Sequence, residues 1–176
     1  MKYFKKIAAV VLTGVMLVSL AGCGNTVKKV DEDKIRDVMK AQLGIKRGDC
    51  YEHEEYELRG TNYEDVDNPY IYEDVYYLRG SEHDDDEDVY VSYYIFDDAD
   101  EADEYFSHYY EAYSFIDKKY RNYKEGKNGY CIDTSDEDTY LAMYYADDMV
   151  IEISAFGKDS TKNAKKFAKK LGFPAK

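Results

Sequence analysis

Two segments of this chain alternate between buried-type and surface-type side chains with a period of two, the pattern of a β-strand with one covered face. In residues 149–155 the apolar positions are separated by Glu152 and Ser154. Residues 89–96 repeat the pattern in a more aromatic form. The fold must therefore contain a sheet with a packed face, and the positions predicted to point into its core are Val89, Val91, Tyr93, Ile95, Met149, Ile151, Ile153 and Ala155.

Other segments predict partners for these two strands. The sequence Asp147-Asp148 forms a tight turn that joins 140–145 to 149–155, and Asn128-Gly129 leads into another strand. Residues 50–60 are ambiguous, and we assign them to a strand. Strands are therefore expected at 50–60, 71–78, 89–96, 129–134, 140–145 and 149–155. The expected fold class is α+β, with an antiparallel sheet of roughly five strands and helices mainly on one face.

Helical periodicity accounts for the remaining long segments. Asp31 suits the start of a first helix, and Gly44 suits a left-handed turn at its end. Asp98 followed by Glu101 resembles a capping box at the start of a second helix, whose apolar stripe includes Tyr113 and Ile116. The helices are predicted at residues 31–43, from about 98 to 116, and at 160–171.

The composition limits the class of partner. The formal net charge is −13, and the chain has 21 tyrosines and no tryptophan. A strongly acidic surface repels nucleic acid, so we expect no nucleic-acid partner. The low mean hydropathy of −0.71 does not indicate disorder, because a tyrosine buries a large ring while scoring as nearly neutral.

The amino terminus has the order of a secretory signal. Three lysines within the first six residues precede a mainly apolar run from Ile7 to Leu20, and small residues follow. The run is too short for an ordinary membrane-spanning helix, which needs about 20 apolar residues. We therefore expect the chain to be exported.

The sequence Leu20-Ala21-Gly22-Cys23 resembles the lipobox of bacterial lipoproteins. The resemblance implies that the Cys23 thiol carries the lipid, that cleavage occurs before Cys23, and that acyl chains such as palmitate hold the protein on the extracytoplasmic face of the cell membrane. The expected organisation is a signal peptide at 1–22, a lipidated tether at 23–30 and a single α+β domain at 31–176. The order of elements from Val89 to Phe173 also resembles, loosely, that of uncharacterised small surface lipoproteins of Gram-positive anaerobes, which implies no catalytic residue.

Two further cysteines, Cys50 and Cys131, form either a disulfide or two separate thiols. An even pair outside the cell often forms a bridge, whereas free cysteines are commonly buried. The sequence leaves both arrangements open.

No motif predicts a catalytic residue, a cofactor or a metal site. His53 begins a segment, His-Glu-Glu-Tyr-Glu, that resembles the helix of zinc proteases, but Glu57 holds the place of the required second histidine. The acidic residues 82–88 offer oxygen ligands for Ca²⁺, but they lack the ligand spacing and central glycine of an EF-hand loop. A solvated hairpin loop is the alternative for this segment.

The tyrosines suggest a binding surface. Tyr90, Tyr94, Tyr140 and Tyr144 are expected to line up across the sheet face opposite the helices. Such a row either stacks on a sugar or a partner protein, or simply covers the second face of the sheet. We interpret the chain as a lipid-anchored extracytoplasmic lipoprotein with a binding or structural role, its partner an unknown envelope protein or glycan. The alternative is an envelope-associated hydrolase or a metal-dependent enzyme.

The lipobox gives the first testable prediction. Cys23→Ala removes the thiol that accepts the lipid, so the chain should persist as an unprocessed precursor. Labelling cells with a radioactive fatty acid and comparing the mass of the two proteins would check this. Normal lipid labelling of the variant would contradict it.

Overall fold

The computed structural model describes residues 26–60, 69–84, 86–112, 121–124, 128–133 and 136–175. Its helices are α1 (Glu32–Leu43), α2 (Ala99–Ala112) and α3 (Lys158–Leu171), and a short 3₁₀ helix spans Arg47–Asp49. The strands are β1 (Cys50–Gly60), β2 (Tyr70–Asp84), β3 (Glu87–Ile95), β4 (Arg121–Lys124), β5 (Tyr130–Asp133), β6 (Thr139–Ala146) and β7 (Met149–Phe156). Within these residues the strands form one antiparallel sheet in the order β1-β2-β3-β7-β6-β5-β4.

The expected α+β class with an antiparallel sheet is confirmed, but the strand number of roughly five is wrong. The described residues form seven strands. Residues 50–60 are indeed a strand. Strand β4 was not predicted, because its Arg-Asn-Tyr-Lys segment lacks apolar alternation. This strand needs none, because it is only four residues long and pairs along one side with β5 at the edge of the sheet.

The predicted starts of α1 and α2 and the predicted end of α1 agree with capping contacts, whereas α3 begins at Lys158, two residues before its predicted start. The Asp31 carboxylate accepts a hydrogen bond from the Lys34 amide at 2.8 Å, and Gly44 has a φ of +77°. The Asp98 carboxylate accepts hydrogen bonds from the amides of Asp100 and Glu101 at the start of α2. The part of the predicted stripe that contains Tyr113 and Ile116 lies outside the described residues.

The inner face of the sheet, defined as the face that α1 and α3 cover, holds the larger core. All eight positions predicted to point inward lie there, together with the apolar faces of both helices. Tyr140 and Tyr144 are fully buried in this core, and their hydroxyl oxygens lie 2.6 Å apart. Burial raises the pKa of Tyr140 to about 12. Two tyrosine rings are thus accommodated in the core because their hydroxyl groups form a hydrogen bond with each other.

Helix α2 packs on the opposite face of the sheet, here called the outer face. Its Ala102 and Phe106 join a second apolar cluster with Tyr72, Val75 and other residues of the outer face. Two helices therefore cover the inner face and one covers part of the outer face. The expected bias towards one face holds for α1 and α3 but not for α2.

Part of the predicted tether belongs to the folded domain. Val27 and Val30 are buried in the inner core. Lys29 forms an ion pair of 2.5 Å with Asp148, and the Tyr93 hydroxyl donates to the Val30 carbonyl at 3.0 Å. Packing of the two valines moves the start of the domain from Asp31 to about Val27.

The two cysteines are separate thiols, so the candidate disulfide is not formed. Cys50 packs against the inner core, whereas Cys131 lies in the cluster on the outer face. Their strands, β1 and β5, are also separated by four other strands. At about 4.8 Å per strand spacing, this distance is far beyond the reach of a disulfide.

A glutamate from β3 holds the start of α3. The Glu87 carboxylate accepts hydrogen bonds from the amides of Asp159 and Ser160, at 3.2 and 2.7 Å. Gly157, with a φ of +95°, leaves room for it, because a Cβ there would collide with the Glu87 carboxylate. These backbone donors lower the pKa of Glu87. The carboxylate thus fills the capping role that residues before a helix usually have.

This contact gives the second prediction. Glu87→Gln should lower the free energy of unfolding at neutral pH, because it removes a charge at the positive end of a helix. A carboxylate with a depressed folded pKa stabilises the protein above its unfolded pKa and loses that effect as the pH falls through the folded pKa. The deficit of the variant should therefore shrink in acid, as measured by urea unfolding at a series of pH values. Glu82→Gln, at an exposed position on the same hairpin, is the matched control.

Candidate functional site

A groove of about 290 Å³ lies on the part of the outer face that α2 leaves open. It runs across the neighbouring strands β2, β3 and β7. Side chains of these three strands form its floor and walls, namely Tyr77, Arg79, Tyr90, Ser92, Tyr94, Glu152, Ser154 and Phe156.

The register of the strands explains why a depression forms here. Ser92 pairs with Arg79 on one side and with Glu152 on the other. Tyr90 pairs with Ser154 in the next row of the same face. Ser92 and Ser154 are small, whereas Arg79, Glu152 and Tyr90 beside them carry long side chains, so the surface is lowest at the two serines.

The carboxylate of Glu152 lies at the floor and accepts two phenol hydroxyls. Tyr105 of α2 donates to Oε1 at 2.6 Å, and Tyr94 of β3 donates to Oε2 at 3.3 Å. Some of the side chain still contacts solvent. Loss of hydration nonetheless raises the pKa of Glu152, against the opposing effect of the two hydroxyls and of the Arg79 charge. The site thus holds a carboxylate whose charge is only partly satisfied.

Arg79 supplies the opposite charge. Its guanidinium lies 5.2 Å from the centre of the Tyr90 ring, a cation–π distance. Arg79 forms no ion pair with any residue that the structure describes. In a chain with a net charge of −13, an exposed arginine without a carboxylate partner keeps its donors available to a ligand.

Stacked rings make the wall of the groove rigid. Tyr77 stacks on Tyr94 with centroids 5.1 Å apart, and Tyr56 stacks on the far side of Tyr77 at 4.9 Å. Phe156 stands at the rim with 42% of its surface exposed. The ligand surface is therefore preorganised on strands rather than on loops, which limits the entropy lost on binding.

The lining of the groove offers groups that can bind a polar ligand. Its lining contains one carboxylate, whereas glycoside hydrolysis generally needs two that flank the scissile bond. Ser92 and Ser154 have no histidine beside them in the lining. A hydrogen-bond acceptor (Glu152), a hydrogen-bond donor (Arg79) and aromatic rings lie on three neighbouring strands, so one ligand could contact all of them.

The tyrosine row expected from the sequence is half wrong. Tyr90 and Tyr94 do line the groove, but Tyr140 and Tyr144 are buried on the inner face. The reason is the register across the Asp147-Asp148 turn, which pairs Tyr144 with Ile151 and Tyr140 with Ala155. Paired residues of adjacent strands share a face, so both tyrosines follow the inward-facing residues of β7.

The other sequence-predicted positions lie elsewhere. Cys23 lies outside the described residues. His53 is in β1 beside Tyr51, so its segment does not have the helical geometry of a zinc protease. Residues 82–84 and 87–88 belong to the β2–β3 hairpin, where His83 contacts Asp88 at 2.7 Å and Glu87 holds α3. The described residues of this acidic segment therefore form a hairpin, the alternative to a Ca²⁺-binding loop.

Two other features concern the described part of the chain, namely metal-binding clusters and membrane-spanning helices. No group of three or more histidine, cysteine, aspartate or glutamate side chains there is arranged to hold a metal ion. None of the described helices combines the length and apolar character that crossing a membrane requires.

Comparison with known proteins yields a distant likeness. No protein-family model and no curated protein matches the chain. A solved structure, the extracellular domain of PknH from Mycobacterium tuberculosis, is similar with a TM-score of 0.35 and 13% sequence identity, over 81% of this chain and 92% of that chain. At that score and identity nothing is transferred from it.

The floor of the groove gives the third prediction. Because the folded pKa of Glu152 is raised above its unfolded value, its protonated form favours the folded state below the unfolded pKa, and this contribution is lost as the pH rises through the folded pKa. The Glu152→Gln variant has no titrating group at this position, so its stability does not change with pH in this way. The unfolding free energy of the variant, relative to the parent, should therefore increase with pH from about pH 4 to pH 8.

Urea unfolding of both proteins across this pH series checks the prediction. Glu55→Gln, at an exposed position of β1, controls for the loss of one negative charge from an acidic surface. A difference for Glu152→Gln that stays level or falls with pH would contradict the assignment of Glu152 as a carboxylate with a raised pKa.

Proposed function

We propose that this chain is a lipid-anchored lipoprotein on the extracytoplasmic face of the membrane, and that it binds an envelope component through its outer-face groove. The observation that carries the binding role is the presence of a partly buried carboxylate, Glu152, and an exposed guanidinium, Arg79, in one open groove. Neither group is neutralised by an ion pair among the described residues.

The position of the first described residues supports an anchored arrangement. Cys23 precedes the buried Val27 by four residues, which span at most about 14 Å when extended. Residues 27–30 are fixed beside the β6–β7 turn through Met149 and Asp148. A lipid on Cys23 would therefore keep this end of the domain close to the membrane.

The groove lies towards the other end of the strands. Phe156 at its rim is seven residues along β7 from Met149, a distance of about 23 Å at 3.3 Å per residue. Helix α2 begins directly after β3, at the anchored end, and covers the outer face there. An anchored domain would thus present the open part of the groove away from the lipid.

The charge of the chain supports a partner other than nucleic acid. A net charge of −13 disfavours approach of polyanions at long range. The envelope glycans and proteins outside the membrane are the partners that remain for a protein at this location.

The fourth prediction tests the binding role in cells. A photoreactive phenylalanine analogue in place of Phe156 should form a light-dependent adduct in living cells, because this side chain stands at the rim of the groove. The same analogue in place of Ile71, which is 50% exposed but outside the groove, should not form that adduct. Mass shift on a gel and mass spectrometry of the adduct provide the measurement.

Equal adducts at both positions, or none at position 156, would contradict a ligand in the groove. Lipid labelling of the same cells tests the anchor separately, because it depends on Cys23 and not on the groove.

A further inference from the structure

We infer that the groove recognises a neutral saccharide, with a sugar ring lying against Tyr90 and Phe156 and its hydroxyl groups reaching Glu152 and Arg79. This inference rests on the proposed binding role and specifies the chemical class of the ligand. Four features of the groove carry it: its aromatic surface, its small floor residues, its polar groups and the charge of the surrounding protein.

The aromatic surface suits the apolar face of a sugar ring. Tyr90 is directly opposite Ser154, and Phe156 follows on the same face of β7, so the two rings flank the serine. A pyranose ring presents C–H groups on its faces, and these carry slight positive charge that the negative face of an aromatic ring attracts. Rings held on strands provide this contact at a low entropic cost.

The small residues leave room for the sugar. Ser92 and Ser154 keep the floor low between the longer side chains, and their hydroxyls are both donors and acceptors. The groove is open and shallow rather than enclosed. Such a shape fits a section of a longer chain better than a small free metabolite, which typically needs a pocket that buries most of its surface.

The polar groups match hydroxyl chemistry. A carboxylate has about four acceptor sites, and Tyr105 and Tyr94 occupy two on Glu152. Arg79 offers five N–H donors in a planar fork from a strand that is separated from β7 only by β3. A sugar hydroxyl both donates and accepts, so neighbouring hydroxyls of one ring can satisfy an acceptor and a donor at the same time.

The charge of the whole chain and of the groove floor disfavours an anionic polymer. The Glu152 carboxylate lies at the floor of the groove in a chain with a net charge of −13, so an acidic polysaccharide would meet repulsion at long and at short range. A strongly cationic ligand would in turn meet the exposed Arg79 at the same site. An uncharged ligand rich in hydroxyls avoids both penalties.

The fifth prediction tests this directly with the full lipoprotein in detergent micelles. Calorimetric titration with cellotetraose and with tetra-N-acetylchitotetraose, both neutral, should show binding to at least one of them. Tyr90→Ala, Phe156→Ala and Glu152→Gln should each weaken that binding about tenfold, equivalent to about 1.4 kcal/mol. Tyr123→Ala, an exposed tyrosine on the edge strand β4, should leave it unchanged.

A thermal unfolding curve, measured before titration, shows whether each variant is folded. If either Tyr90→Ala or Phe156→Ala does not fold, the other variant alone tests the aromatic contact. If neither neutral oligosaccharide binds at millimolar concentration, the saccharide inference is overturned. The same titration with polygalacturonate and with peptides serves as a comparison, and binding of only one of these also overturns the inference. The proposed binding role survives that failure if the analogue at position 156 still forms its adduct in cells. Absence of both the titration signal and the adduct overturns the two proposals together.

Discussion

The pairing of β3 with β7 is the interaction on which the rest of this structure depends. These strands are joined from Asp88 and Phe156 at one end to Ile95 and Met149 at the other, and they are far apart in sequence. On one side, β1, β2 and β3 follow one another along the chain, and on the other β4 to β7 do the same. One non-local junction therefore converts two local antiparallel units into a single sheet. Both apolar clusters cross that junction, so neither would be complete without it.

The same junction places a carboxylate in the middle of the sheet. Glu152 is on a central strand, opposite Ser92, where an apolar side chain would ordinarily extend the outer cluster. Placing a carboxylate there costs free energy unless hydrogen bonds compensate it. Tyr94 and Tyr105 provide that compensation, and Tyr105 at the same time ties α2 to the sheet. The region where a carboxylate interrupts the apolar outer face is thus also the region that offers polar groups to a ligand.

Much of the fold could be predicted because its signals are local. The alternation in 89–96 and 149–155 identified the inner face, and Asp31, Gly44 and Asp98 marked helix ends through contacts with near neighbours. Strand β4 gave no signal, since an edge strand of four residues needs no apolar face. The groove was only partly predictable. The faces of Tyr140 and Tyr144 followed from the predicted turn and could have been assigned correctly, whereas the contact between Tyr105 and Glu152 joins residues 47 positions apart and has no local signature.

The two separate thiols have a consequence for how this domain depends on its surroundings. Cys131 is buried, and burial raises the pKa of the partly covered Cys50 thiol, which keeps it protonated and slow to react. With no covalent cross-link between them to be made, the sheet can reach its native arrangement without an oxidant or a disulfide-exchange enzyme. The fold of this domain accordingly does not require a bond between Cys50 and Cys131.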